Sequence, residues 1–278
     1  MKNFYVIGNP IKHSLSPIIF NYWFKKYKIS KTYKKKSIEI NFFSKRFEKM
    51  INSKSFGGAN ITIPFKEKAI DHVDVVDTHS KKIGAINCIY KKKSRIYGTN
   101  TDWIGFYKLI KPYFKKNPTK KRSVAILGYG GSAKAVIYSL KKIGFKKIYI
   151  YVRNKKKVKK NENKKNTTNV FNLSKINQKT KIFDLIINTT PAKSLKDLKI
   201  NLAKAKKNTV VVDLNYYKHK TNFIKEALKN KLKVLFGIEM LILQAAPAFK
   251  IWFGIEPHAT EKLLQICVKK LKKWLLLD

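Results

Sequence analysis

Acidic residues are scarce in this chain: 16 Asp and Glu stand against 62 Lys and Arg in 278 residues, a formal net charge of +46. Arginine is scarcer still, at Arg46, Arg95, Arg122 and Arg153, so lysine supplies the other 58 basic side chains. Cysteine occurs twice, at Cys88 and Cys267. Two distant thiols make neither a disulfide framework nor a cysteine-based zinc site, and they suit a reducing compartment. Long apolar runs are missing as well: stretches such as 210–212 and 274–277 fall far short of the roughly 20 residues that span a bilayer, which excludes a transmembrane helix. Residues 1–10 read as a strand entering a turn, without the apolar core or small-residue cleavage site of a secretion signal, so the expected compartment is the cytoplasm. His13, His72, His79, His219 and His258 show no ligand spacing, and no metal site is predicted.

What is present supports a folded protein. A hydrophobic fraction of 44% with 13% aromatics separates the chain from disordered polyelectrolytes and provides for a sizeable core. The length fits one large domain or two ordinary ones. So large a positive charge invites a nucleic-acid reading, because neutralising phosphates releases counterions. The residue types oppose it, since base readout and bidentate phosphate binding favour arginine. The lysines are scattered from Lys2 to Lys273, and Asn, Ile, Tyr and Phe, which share AT-rich codons with Lys, are abundant too. Nucleotide bias accounts for the composition without a partner, although weak polyanion attraction follows from the field alone.

The first half alternates strand and helix. Strands are predicted at 4–8, 37–40, 59–63, 85–90 and 95–98, with helices at 44–52 and 66–70 and one from Pro17 with Ser16 as its N-cap. A helix from Asp102 ends before Pro112, and the polar, proline-containing run 111–122 marks a domain boundary nearby. Beyond it the pattern is regular: strands at 124–127, 147–152, 185–188, 209–214 and 232–236, with helices at 132–143 and 222–230. Such Val- and Ile-rich strands predict a doubly wound parallel sheet. The Lys-, Asn- and Thr-rich stretch 154–169 reads as a solvated loop or frayed helix. Apolar positions from Met240 to Trp252 recur at helical spacing, a last helix starts near Thr260, and no internal repeat is visible.

Strand 124–127 runs straight into Gly128-Tyr129-Gly130-Gly131-Ser132-Ala133, a G-x-G-x-x-A turn in the strand–turn–helix setting that dinucleotide binding requires. Gly128 permits the tight turn, Gly130 admits a pyrophosphate to the backbone, and Ala133 lets helix and strand pack closely, with the phosphates on the helix N-terminus. An NAD site would place an acid at the end of the second strand to bind the ribose hydroxyl. Here that end reads Val152-Arg153-Asn154-Lys155-Lys156-Lys157, which offers Arg153, Asn154 and Lys157 to a 2′-phosphate, so NADP(H) is predicted over NAD.

Four segments of the first half carry a resemblance: residues 8–17 (Gly-Asn-Pro-Ile-Lys-His-Ser-Leu-Ser-Pro), 58–67 (Gly-Ala-Asn-Ile-Thr-Ile-Pro-Phe-Lys-Glu), 84–87 (Gly-Ala-Ile-Asn) and 100–102 (Asn-Thr-Asp). With the glycine-rich turn and the segment from Gly237 through Gln244 to Trp252, they resemble the shikimate dehydrogenase family over essentially the whole chain. The resemblance implies an α/β fold in which an N-terminal substrate domain, residues 1–101 completed by helices in 237–278, faces a Rossmann-type NADP-binding domain, residues 102–236, across a cleft. It implies NADPH-linked reduction of 3-dehydroshikimate to shikimate, with Lys66 as acid/base and Asp102 beside it. Ser14 and Ser16 would bind the substrate carboxylate, and Asn60, Thr62, Asn87, Asp102, Tyr216 and Gln244 the ring hydroxyls. Gly237 and Met240 match positions near the nicotinamide, and Leu214 stands at a cofactor-binding position where the family usually has Met. The partners implied are the small-molecule substrate and cofactor, with no specific nucleic acid and no membrane; a homodimer stays open.

These residue types suit the chemistry. Hydride delivery to a ketone puts negative charge on oxygen, which a nearby ammonium stabilises and protonates. Hydroxyls and amides suit a polyol, because a site that bonds each OH rejects analogues lacking one. Without the motifs, Ser16 and Asp102 would read as helix caps, Lys66 as one surface lysine among many, and Gln244, Met240 and Trp252 as faces of an amphipathic helix. Alternatives are a quinate/shikimate dehydrogenase accepting NAD, a polyanion-binding protein, and an inactive relative. The departures from the family lie mostly in the cofactor half, at 152–154, 188–193 and Leu214; in the substrate half Cys88 replaces a usual Thr.

Overall fold

The computed structural model describes residues 2–114, 121–158, 168–191, 200–216 and 221–275. The chain divides into two compact units, one of Met1–Phe106 with Leu241–Lys270, the other of Tyr107–Met240 with Leu271–Asp278. The three divisions all fall inside helices: α4 (Asp102–Ile110), α7 (Gly237–Phe253) and the last helix, Glu261–Leu275.

The first unit is built on β1 (Asn3–Gly8), β2 (Tyr33–Ser37), β3 (Phe56–Ile61), β4 (Val75–Val76), β5 (Cys88–Lys92) and β6 (Arg95–Thr99), in the order β2-β1-β3-β5-β6-β4. β1 pairs parallel with β2 and β3, while β5 pairs antiparallel with β3 and β6, so β1, β3 and β6 point the same way. Helix α1 (Ser16–Lys26) buries Ile19, Phe20, Trp23 and Phe24 at helical spacing. Their rings join Tyr33 and the α7 residues Phe249, Trp252 and Phe253 in one aromatic cluster. Helices α2 (Phe43–Ile51) and α3 (Thr78–Ile83) follow, with Phe43 and Phe47 in a separate core cluster with Ile7 and Phe65.

Several expectations are corrected. The second strand lies at Tyr33–Ser37, not 37–40, because β1 ends opposite Ser37 and offers no partner beyond it. Its lysine-rich sequence gave no strand periodicity, but a strand at a sheet edge can carry lysines into water. Ser16 is not the N-cap: α1 begins at Ser16 after Leu15, and no side chain caps it. Residues 66–70 form turns leading into a 3-10 helix at Lys68–His72 instead of a helix. The strand expected at 85–90 starts at Cys88, because Ile86 and Asn87 donate to the Lys66 and Thr99 carbonyls from a loop. Cys88 itself is fully buried.

The second unit holds β7 (Ser123–Leu127), β8 (Lys147–Val152), β9 (Thr168–Asn172), β10 (Leu185–Asn188), β11 (Val210–Asp213) and β12 (Lys233–Phe236), all parallel and ordered β12-β11-β10-β7-β8-β9. Counted from β7 this is 3-2-1-4-5-6, the doubly wound order of a Rossmann fold, with its switch point between β7 and β10. Helices α5 (Gly131–Ile143) and α6 (Asn222–Lys229) belong to this unit, and α8 (Glu261–Leu275) closes the chain. β7, β10 and β11 are buried throughout, as strands covered on both faces must be. β9 was not expected, since it ends the polar stretch of which 159–167 lie outside the described residues. Among the described residues no helix is long and apolar enough to cross a membrane.

Candidate active site

In the first unit, three parallel strands end at one edge, and the motif residues follow those ends: Ser14 and Ser16 after β1, Thr62 and Lys66 after β3, Thr101 and Asp102 after β6. Ligands of open α/β sheets bind beyond such carboxyl ends. The Lys66 ammonium lies 2.7 Å from Asp102 Oδ2, with the two side chains only 12% and 6% exposed. A pair so enclosed is fixed in place, because losing either partner leaves the other charge without compensation.

Asn87 organises the rest. Its Oδ1 accepts the Thr101 backbone N–H at 2.6 Å, which fixes the amide's orientation. Its Nδ2 then faces Asp102 Oδ1 at 2.8 Å, Gln244 Oε1 at 3.0 Å and Thr101 Oγ1 at 3.1 Å. Gln244 donates in turn to the Leu241 carbonyl at 2.9 Å. Asn60 joins through the Asn87 carbonyl, and its Oδ1 accepts from the Tyr33 hydroxyl. Gly105 makes this convergence possible: a Cβ there would lie 2.7 Å from both the nitrogen and the Cβ of Gln244, so only glycine lets α4 approach α7 closely enough for Asp102 and Gln244 to share Asn87.

The structure thus brings Lys66, Asp102, Asn87, Gln244 and Asn60 into one bonded network. Ser14 and Ser16 are both buried, and the Ser16 backbone N–H donates to Ser14 Oγ at 3.4 Å. Thr62 is half-buried at the end of β3. Two members of the network were not singled out in the sequence. Thr101 could have been found from its place between Asn100 and Asp102, whereas Tyr33 carries no motif.

The second unit presents the glycine-rich turn at the switch point. Gly128 has φ +102°, and a Cβ on it would meet Thr189 Oγ1 at 2.8 Å and Thr190 Cγ2 at 3.0 Å. A Cβ on Gly130 would meet nothing within 4 Å, so the backbone there faces open space at the start of the 13-residue α5. Ala133 is buried, while Tyr129, Gly131 and Ser132 are half-buried around the turn. Arg153 and Asn154 are exposed just past β8, with Asn154 Oδ1 accepting the Lys156 N–H. Lys157 lies in the following 3-10 turn, and its side chain is outside the described residues.

The adjoining strand ends are tied down by Asp213. This fully buried carboxylate accepts from Asn188 Nδ2 at 2.8 Å, from Asn215 N and Nδ2 at 3.0 and 2.9 Å, and from the Thr221 hydroxyl at 2.5 Å. Burial raises its pKa against the pull of those bonds. Leu214 and Tyr216 follow, both half-buried, and Gly237 packs directly on the Leu214 carbonyl, where a Cβ would collide. Met240 is buried. Among the described residues no group of three His, Cys, Asp or Glu could hold a metal ion.

A turn with open space at Gly130, no acid at the end of β8 and an arginine beside it fit a dinucleotide with a phosphorylated ribose. Such a sheet, joined to a second α/β unit holding a buried lysine–carboxylate pair amid amides, defines a two-unit α/β protein of the nucleotide-linked dehydrogenase class. Family models match in order: the shikimate dehydrogenase substrate binding domain at residues 6–89, shikimate/quinate 5-dehydrogenase at 109–218 and the shikimate 5′-dehydrogenase C-terminal domain at 237–259. The chain belongs to the shikimate dehydrogenase family. It is 39% identical over 272 residues to shikimate dehydrogenase (NADP(+)) of Pelagibacter ubique, covering 95% of this chain and 98% of that one. The crystal structure of shikimate dehydrogenase from Aquifex aeolicus is similar with a TM-score of 0.84 at 35% identity, over 97% of this chain and 98% of that chain. The Thermus thermophilus shikimate 5-dehydrogenase in complex with NADP(H) and shikimate gives a TM-score of 0.81 at 26% identity, over 98% of this chain and 100% of that one.

Proposed function

We propose that this chain catalyses the reversible NADPH-linked reduction of 3-dehydroshikimate to shikimate, a step towards chorismate and the aromatic amino acids. The observation that carries the reading is the buried Lys66–Asp102 pair at 2.7 Å, set among amides that suit a polyol. The first unit is assigned to substrate and the second to NADP(H). Bound there, the cofactor supplies the hydride.

Lys66 holds a proton at Nζ and gives it to the ketone oxygen as negative charge develops there, taking it back in the reverse direction. Asp102 orients Lys66 through Oδ2 and accepts a ring hydroxyl. Ser14 and Ser16 hold the substrate carboxylate, and Asn60, Thr62, Asn87, Gln244 and Tyr216 bond the ring hydroxyls. The turn Gly128 to Ala133 would hold the pyrophosphate, Arg153 with Asn154 and Lys157 the 2′-phosphate, and Leu214, Gly237 and Met240 the nicotinamide end. The reading places the enzyme in the cytoplasm, and a homodimer is the assembly to test by light scattering.

The test is a spectrophotometric assay of shikimate with NADP, with quinate and NAD as further arms. Lys66→Ala should lower turnover by at least about 10²-fold with a modest change in KM. A variant that lost only affinity would remove Lys66 from the acid/base role, and preferred turnover of quinate or NAD would reassign the substrate or cofactor.

A further inference from the structure

The Asn60 side chain is held from two sides. Its Nδ2 donates to the Asn87 backbone carbonyl at 3.1 Å, and since a carbonyl only accepts, this contact fixes which end of the amide is nitrogen. The Oδ1 end consequently faces Tyr33, whose hydroxyl donates to it at 2.7 Å. Tyr33 has little freedom of its own. Its ring is buried and stacked on Phe20, with centroids 4.2 Å apart and planes within 5°. Its backbone is clamped by Asn21, which accepts the Tyr33 N–H at 2.9 Å and donates to the Tyr33 carbonyl at 3.2 Å. The hydroxyl therefore sits at one point relative to β3.

We propose that Tyr33 is a positioning residue for substrate recognition. Through its hydroxyl Tyr33 holds the Asn60 oxygen on its own side and leaves the amide its second N–H to offer, so Asn60 meets a ring hydroxyl as a donor while Asp102 meets one as an acceptor. This division of roles is how a site distinguishes hydroxyls by where their hydrogens point. The inference rests on the proposed reading in which Asn60 faces a ring hydroxyl. Without the Tyr33 hydroxyl, Asn60 either keeps an unpaired buried oxygen or turns towards another donor, and the ring hydroxyl loses its partner.

Tyr33→Phe removes the hydroxyl and leaves the stacking and the Asn21 clamp. In steady-state assays of the full chain, KM for shikimate should rise roughly three- to tenfold with kcat held within about twofold. A Tyr33→Phe/Asn60→Ala double variant should be little worse than Asn60→Ala alone, because both changes remove one interaction. Asn21→Ala, at an exposed position, loosens Tyr33 without removing its hydroxyl and should shift KM the same way by less. An unchanged KM in Tyr33→Phe and Asn21→Ala, or fully additive effects of Tyr33→Phe and Asn60→Ala, overturns the inference. An unmodified chain that does not turn over shikimate would instead count against the proposed function.

Discussion

The two candidate sites are prepared in opposite ways. In the first unit the functional side chains are bonded to one another: Lys66 to Asp102, Asp102 to Asn87, Asn87 to Gln244. In the second unit the bonded groups lie behind the surface that would receive the cofactor, where Asp213 ties Asn188, Asn215 and Thr221, while Arg153 and Asn154 stand exposed. A polyol must be read hydroxyl by hydroxyl, which calls for fixed donors and acceptors. A pyrophosphate needs a shaped backbone and positive charge, and a chain this basic supplies the latter from many positions.

The contrast can be broken most severely at Asp102. Asp102→Asn removes the charge that holds Lys66 and should lower kcat/KM for shikimate by at least about 10²-fold, while cofactor binding followed by nucleotide fluorescence stays unchanged. Gly105→Ala should separate α4 from α7 and cost on the order of 1–3 kcal/mol of stability in denaturant titration, with KM for shikimate rising at the same time. Gly128→Ala attacks the other side: strain at φ +102° and a clash with Thr189 should weaken cofactor binding roughly tenfold or more, with shikimate affinity preserved. Arg153→Ala should raise KM for NADP by roughly tenfold or less and leave KM for NAD unchanged, and equal effects on both would move the 2′-phosphate contact elsewhere.

The smallest effect is expected inside the second unit. Tyr151 is fully buried and its hydroxyl has no partner among the described residues, so Tyr151→Phe should leave the melting temperature unchanged or raise it. Burial also pushes the Tyr151 phenol up from 10.0 to about 12. The folded chain keeps that proton where the unfolded chain releases it, so stability falls as pH rises across this window, and the variant should lose that part of the fall.

How far the sequence could be read followed from the forces that act along it. The second sheet was legible because buried parallel strands need Val and Ile runs, as in 124–127, 185–188 and 210–212. β2 and β9 were not, because edge strands rich in Lys or Asn are specified by the neighbour they pair with. The predicted helix at 66–70 failed for a related reason, since Lys66 gives its carbonyl to Ile86 in a loop contact that no local pattern announces. At the site, the family resemblance pointed to Lys66 and Asp102 as neighbours, but Tyr33 and Gly105 act through distant partners. Thr189, in the departing stretch 188–193, donates to the Leu127 carbonyl at 2.6 Å and so anchors the chain beyond β10.

The open edge of the first sheet carries a wider consequence. Lys34, Lys35 and Lys36 stand exposed along β2, and Lys35 reaches back to the Lys12 carbonyl. An unpaired edge is where a strand of a second molecule would attach, and a row of ammonium groups repels an equally basic copy. Pressure towards lysine is therefore absorbed on this edge, where the charge opposes assembly into aggregates, whereas a lysine at Asn87 or Gln244 would erase a donor and an acceptor of the bonded network. Mutational pressure of one kind is thus protective at one end of a sheet and ruinous at the network beyond its strand ends.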